Sequence, residues 1–149
     1  MQELKKYFIT VDREYKEGDV AVFRQKFSGK DIVKAVLFST ALGVYEAEIN
    51  GKKVGKQMFA PGYTYYPRRV LYQENDVTEL LHTKSGSVED NQLVFYLGQG
   101  WYCGRFLCEN KTQIYGDKPA VSWMLCLKLA DGSEKVFHSG MEVDELASP

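Results

Sequence analysis

Nowhere in this sequence do apolar residues run on for the ~20 positions that a membrane-spanning helix needs. The first residues, MQELKKYFITVDREYKEGD, contain no apolar segment of the kind that leads a secreted protein. Cysteine is scarce: Cys103, Cys108 and Cys126 are an odd number with no C-x-x-C pair, which argues for reduced thiols and against a disulfide framework. These absences give the expectation of a cytoplasmic protein. Histidine is scarcer still. His82 and His138 stand apart, without Cys or carboxylate at ligand spacing, so zinc is not expected. An excess of charge is also missing: 19 Lys and Arg meet 20 Asp and Glu for a net −1, interspersed along the chain, which excludes a long nucleic-acid groove. No Ser, His and Asp stand in an order that suggests a nucleophilic triad, and no Asp-x-Asp-x-Asp loop offers a calcium cage.

What the chain does have is aromatic residues, 13% of the total with ten tyrosines. Tyr and Phe favour strands, and Tyr also favours recognition surfaces where one end of the ring stays wet. At 149 residues the chain is one domain able to bury a core unaided. Residues 1–19 are charged and weakly patterned, a lead-in with one short strand at Tyr7–Val11, and residues 20–149 form the domain proper. Val20–Phe27 alternates, with Ala21, Phe23, Gln25 and Phe27 on one side and Val20, Val22 and Arg24 on the other. Ser28–Asp31 is a turn, and Ile32–Leu42 reads as a buried strand between Gly29 and Gly43. Val44–Ile49 places Tyr45, Ala47 and Ile49 opposite Glu46 and Glu48, and runs into Asn50-Gly51, a pair that accepts the positive φ of a type I′ hairpin turn. Lys52–Phe59 is the expected return strand, bulged at Gly55. Ala60–Arg69 is a loop, Val70–Tyr72 a short strand, and Asn75–Leu81 a helical turn with Asp76 as N-cap and Glu79 completing a capping box. Thr83–Asn91 is a surface loop, Gln92–Leu97 a strand, and Phe106–Lys118 is irregular. Val121–Leu129, a turn at Asp131-Gly132 and Lys135–Phe137 form a last hairpin, and Met141–Pro149 has little pattern. Short strands separated by turns, with at most one or two helical turns, predict an all-β fold: an antiparallel β-sandwich.

Two stretches carry candidate function. In Leu97-Gly98-Gln99-Gly100-Trp101-Tyr102-Cys103-Gly104-Arg105, glycines that could crowd N–H groups around an anion lack the lysine, the Ser or Thr and the following helix of a phosphate loop. Trp101 and Tyr102 could instead stack on a pyranose while Arg105 bonds its hydroxyls. The alternative is that Trp101 plugs the end of the sandwich while Tyr102 points outward. The second stretch is the loop of Tyr63, Tyr65, Tyr66, Arg68 and Arg69, residue types that dominate both ligand sites and protein interfaces. Asn50 is foremost a turn residue, with sugar contact as the lesser role, and Cys103 reads as packing.

Ile49-Asn50-Gly51-Lys52-Lys53-Val54-Gly55, Ala60-Pro61-Gly62-Tyr63-Thr64-x-Tyr66, Val70-Leu71-Tyr72, Asp76-Val77-Thr78-x-Leu80-Leu81 and Leu97-Gly98-x-Gly100-Trp101-Tyr102-x-Gly104-Arg105 occur in order. Over roughly residues 20–140 this set resembles the N-terminal jelly-roll domain of bacterial α-L-rhamnosidases. The resemblance implies an accessory β-sandwich attached to a separate catalytic (α/α)6 barrel, in an inverting glycosidase that removes terminal rhamnose. It also implies that the barrel, which is absent from this sequence, is the natural partner. In some relatives such a domain binds rhamnose with calcium at the site, but here Gln99 stands where an acid is frequent, which argues against the metal. Asp76 and Glu79 share one turn and do not face each other across the roughly 5–9.5 Å of a glycosidase cleft, so no catalytic residue is assigned. The expected function is a non-catalytic domain that supports the barrel and helps recognise rhamnosyl substrates. The alternative is a free-standing carbohydrate-binding, lectin-like module. An uncovered aromatic loop would also make the chain dimerise.

Overall fold

The computed structural model describes residues 3–83, 90–106 and 110–146. Cys108 and most of the loop expected over 83–91 lie outside those residues. The strands are β1 (Ala21–Ser28), β2 (Ile32–Leu42), β3 (Val44–Ile49), β4 (Lys52–Lys53), β5 (Gln73–Asp76), β6 (Asp90–Gly98), β7 (Ala120–Leu129), β8 (Glu134–His138) and β9 (Asp144–Leu146). They form two antiparallel sheets in the orders β4-β3-β6-β1-β9 and β5-β2-β7-β8, packed as a β-sandwich. Among the described residues helix is confined to single turns at Leu4–Lys6, Thr78–Leu80 and Gly100–Cys103.

The alternation of the sequence sets which face meets the core. Ala21, Phe23 and Phe27 of β1 join Tyr45, Ala47 and Ile49 of β3 in the buried cluster, together with Leu93, Phe95 and Leu97 of β6. Phe95 sits between Phe23 and Ala47 in register and stacks on Trp123 of the opposite sheet, with centroids 4.5 Å apart and planes 9° from parallel. Large rings fully removed from water are the chief apolar contribution here, since each buries a large area at about 25 cal/mol per Å². Two polar ties cross the same core. Trp123 Nε1 donates to Gln25 Oε1 at 2.8 Å, and the Ser39 and Tyr45 hydroxyls meet at 2.8 Å. Each joins one sheet to the other.

The hairpin turn follows its sequence: Asn50 and Gly51 take φ of 53° and 75°, and Ile49 pairs with Lys52. The return strand is shorter than expected. The strand covers only Lys52–Lys53 and closes with Val54 N–H on the Ala47 carbonyl at 2.8 Å, because Gly55 at φ 71° and Phe59 at φ 54° bend the chain off the sheet before Tyr45 N–H reaches the Ala60 carbonyl at 2.8 Å. The strand expected at Val70–Tyr72 falls at Gln73–Asp76, where Val36–Ser39 of β2 supply partners, while the Leu71 carbonyl is taken by the Thr40 hydroxyl at 2.6 Å. Asp76 ends that strand and accepts from the Thr78 N–H at 3.0 Å and from its hydroxyl at 2.6 Å. It therefore pins the helical turn from just outside the N-cap position, which Val77 occupies, and those two bonds lower its carboxyl pKa. The patternless tail holds β9, which lines up along β1 through an Arg24–Asp144 ion pair at 2.9 Å. At the other end, Tyr7–Val11 makes an isolated bridge, Ile9 to Val121, in place of a strand. Leu4, Val11 and Tyr15 of the 1–19 lead-in are buried.

Candidate functional site

Two connections meet at one end of the sandwich. The β4–β5 connection carries Met58 and Phe59 and then residues 60–69; the β6–β7 connection passes through Gly100–Cys103. Gly98 ends β6, and Gly100 turns the chain at φ 50°, where an added Cβ would lie 2.7 Å from Val44 Cγ1 and 3.0 Å from the Gly43 carbonyl carbon. Only glycine fits, so the backbone of the turn can settle directly on the start of β3. The irregular strap beyond it is tied back to this turn: Gln113 N–H donates to the Cys103 carbonyl at 3.1 Å and Tyr115 N–H to the Tyr102 carbonyl at 3.2 Å. Gly116 lies so close beneath Tyr102 that an added Cβ would come within 2.5 Å of the ring.

These ties assemble a continuous set of rings. Trp101 meets Phe59 edge-on at 6.4 Å and Tyr63 at 6.2 Å, and Tyr63 lies 5.2 Å from Phe106. Tyr66 stands edge-on to Tyr63 at 6.0 Å, to Tyr102 at 5.2 Å and to Tyr115 at 5.1 Å, and Tyr65 reaches Tyr115 at 6.2 Å. The Tyr63 and Tyr115 hydroxyls share a hydrogen bond of 3.0 Å, which raises the Tyr115 pKa. Around this set Met58 is 71% and Phe59 61% exposed, and Tyr63 and Tyr65 are exposed as well. Edge-to-face contacts hold such rings about 0.5–1.5 kcal/mol per pair beyond the area they bury, so the rings support one another while much of the face stays in water.

Five of the residues singled out in the sequence therefore share one face: Tyr63, Tyr65, Tyr66, Trp101 and Tyr102. Trp101 does not plug the core; that place belongs to Trp123. Trp101 and Tyr102 are both half-buried, with Trp101 beside the exposed Phe59 and Tyr63, and Tyr102 packed among Tyr66 and Tyr115. Tyr66 is only 8% exposed, and its hydroxyl is buried with no hydrogen-bond partner among the described residues. Burial pushes its pKa up to about 12. Cys103 is buried behind the turn and its thiol is pushed up to about 11, chiefly by burial.

Four of the singled-out residues lie elsewhere. Arg105 is exposed and engages Glu17 through Nε at 2.7 Å and Nη2 at 3.2 Å. Arg68 and Arg69 line an adjoining cleft, which Tyr66 of the ring cluster also borders. Asn50 is structural: its amide donates to the Leu80 carbonyl at 3.0 Å and to Asn91 Oδ1 at 2.7 Å, and its oxygen accepts from Gln92 N–H at 3.1 Å. The sequence reading missed Phe59, Phe106 and Tyr115. Their signal was the recurrence of aromatic residues in every loop of this end, which strand patterning does not register. Among the described residues, no group of three His, Cys, Asp or Glu is placed to hold a metal ion.

The chain is thus a two-sheet antiparallel β-sandwich with aromatic rings gathered at one end. A protein-family model described as the α-L-rhamnosidase N-terminal domain matches residues 30–148. An α-L-rhamnosidase of Streptomyces avermitilis is 38% identical over 120 residues, covering 80% of this chain and 11% of that protein. The native α-L-rhamnosidase of Aspergillus terreus superposes with a TM-score of 0.79 at 36% identity, covering 88% of this chain and 15% of that one. The Streptomyces avermitilis α-L-rhamnosidase, solved in complex with L-rhamnose, gives 0.76 at 35% identity over 85% of this chain and 12% of that one. The chain belongs to the family of α-L-rhamnosidase N-terminal domains. It spans between 11% and 15% of the length of these relatives.

Proposed function

We propose that this chain is the non-catalytic accessory domain of an α-L-rhamnosidase, and that its ring-lined end packs against the catalytic (α/α)6 barrel of the parent enzyme. The observation that carries this is the exposed cluster of Met58, Phe59, Tyr63 and Tyr65 around Trp101. An apolar surface of this kind, preorganised by ring contacts, gains most from being covered. Hydrogen exchange tests it: amides of residues 58–66 and 100–106 should exchange much more slowly in the parent enzyme than in the isolated 149-residue chain. Equal exchange in both would refute the docking. Uncovered, the same face drives self-association of the isolated chain, visible as a concentration-dependent sedimentation coefficient.

A second reading, contact with rhamnosyl substrate at this end, is supported by the half-exposed Trp101 beside Tyr63, since flat rings take the C–H face of a pyranose. In this reading calcium is not required, because Gln99 offers a neutral amide where the calcium-assisted pattern has a carboxylate. L-rhamnose should then quench or shift tryptophan fluorescence equally with calcium and with chelator. A response that needs calcium would overturn this part.

A further inference from the structure

A second concave site borders the same loop. A cleft of about 420 Å³ opens where the Leu4–Lys6 turn, β2 and residues 66–72 meet. Lys5, Arg68 and Arg69 line it, and no carboxylate does. None of the three makes a side-chain hydrogen bond or ion pair with another described residue, although the surface elsewhere pairs Arg13, Arg24, Lys53 and Arg105 with acids. The two arginines sit on a pinned turn: the N–H groups of Arg68 and Arg69 both donate to the Tyr65 carbonyl, at 2.9 and 3.0 Å, and the Thr64 hydroxyl holds the Arg69 carbonyl. Beneath them the wall is apolar and aromatic, from Leu4, Phe8 and Tyr72, with the Tyr72 ring backed by Phe38 at 6.4 Å.

Unpaired cations above an apolar wall call for a ligand that is anionic on one side and carries C–H groups on the other. A guanidinium takes a carboxylate through two parallel hydrogen bonds, and both arginines line the cleft from one hydrogen-bonded turn. The cleft has the volume of a small-molecule site. We propose that it binds the uronate residue of an acidic, rhamnose-bearing glycan, with the carboxylate on Arg68 and Arg69 and the pyranose face on Phe8 and Tyr72. The proposal rests on the reading of the chain as part of a rhamnosidase. It names the substrate class as acidic glycans, and its cleft adjoins the ring-lined end, with Tyr66 lining the one and packing in the other.

Two-dimensional NMR of the 149-residue chain, titrated with a rhamnosyl-glucuronic acid disaccharide and with its carboxyl-reduced neutral counterpart, tests it. The acidic disaccharide should shift the signals of Phe8, Arg68, Arg69 and Tyr72, and the neutral one should bind about tenfold more weakly. Arg68→Gln/Arg69→Gln, two exposed changes, should lower affinity for the acidic sugar about tenfold with unchanged thermal melting. Equal binding of the two disaccharides, or an unaltered affinity in the double variant, overturns the assignment. Shifts confined to Trp101 and Tyr63 would also overturn it while leaving the rhamnosyl reading of that face intact. A response only to an Asp- and Glu-rich peptide would replace the glycan with a protein contact and overturn it equally.

Discussion

Gln25 is the most exacting test of how the two sheets are held together. It lies on β1 among Ala21, Phe23 and Phe27, 3% exposed, and its Oε1 is the acceptor for the Trp123 indole N–H at 2.8 Å. Its Nε2 donates to the His138 carbonyl at 3.1 Å and to the Glu142 carbonyl at 3.5 Å. Gln25→Met keeps the length and bulk of the side chain but removes the acceptor. The carbonyls of His138 and Glu142 lie near the surface and can turn to water, whereas the Trp123 indole is fully buried and cannot. Leaving a buried donor unpaired costs about 1–3 kcal/mol, to which the lost carbonyl bonds add little, so about 2–3 kcal/mol is expected in all. For a domain of this size that lowers the melting temperature by roughly 5–10 °C. Urea unfolding followed by circular dichroism measures it, together with Trp123→Phe and the double variant. If the indole–amide bond is the cause, the double variant loses at least about 1 kcal/mol less than the sum of the singles, because the orphaned N–H is gone. A cost below about 0.5 kcal/mol for Gln25→Met, or strict additivity, would refute the reasoning.

Two further outcomes follow from other parts of the fold. Gly29→Ala should cost about 2–3 kcal/mol in urea unfolding, because the new Cβ would lie 2.0 Å from the His82 carbonyl oxygen and 2.2 Å from Asn91 Nδ2, a fully buried amide that also binds Asn50 and His82 N–H; a melt within error of the parent chain would show that the turn has slack. Burial raises Tyr45 from 10.0 to about 12, so the folded state holds the neutral phenol. That contribution is complete below pH 10 and is lost as pH climbs from 10 towards 12, on the order of 2–3 kcal/mol. Urea midpoints should therefore fall across that interval, less so in Tyr45→Phe, and a flat profile would contradict the burial.

Much of the architecture was legible because it depends on residues close together in the chain. The period-two alternation of Val44–Ile49 decided which side chains face the core, and Asn50-Gly51 carried the two positive φ values that close the hairpin. The apolar run Ile32–Leu42 became a strand of those bounds, with Ala35, Leu37 and Ala41 fully buried. Errors arose where pairing depends on a distant partner. Val70–Tyr72 has the better strand composition, yet Gln73–Asp76 is the segment that comes into register with β2. Asp144–Leu146 has no strand pattern of its own, and β1 recruits it through Arg24.

The candidate face divides in the same way. The sequence alone determined that this is an antiparallel β-sandwich of the rhamnosidase N-terminal family, that Gly98, Gly100 and Gly104 frame a sharp turn, and that its loops are rich in rings. Those are properties of local backbone freedom, alternation and ordered motifs. Only the tertiary structure decided that Phe59, Tyr63, Tyr66, Trp101, Tyr102, Phe106 and Tyr115 form one cluster, that Trp123 and not Trp101 fills the core, and that Arg105 is committed to Glu17 while Arg68 and Arg69 have no ion-pair partner among the described residues. The physical reason is that a ring or a guanidinium gains from whatever lies within a few ångströms. In a two-sheet fold those neighbours come from strands far apart in the chain, brought together by packing of the sheets across a shared core.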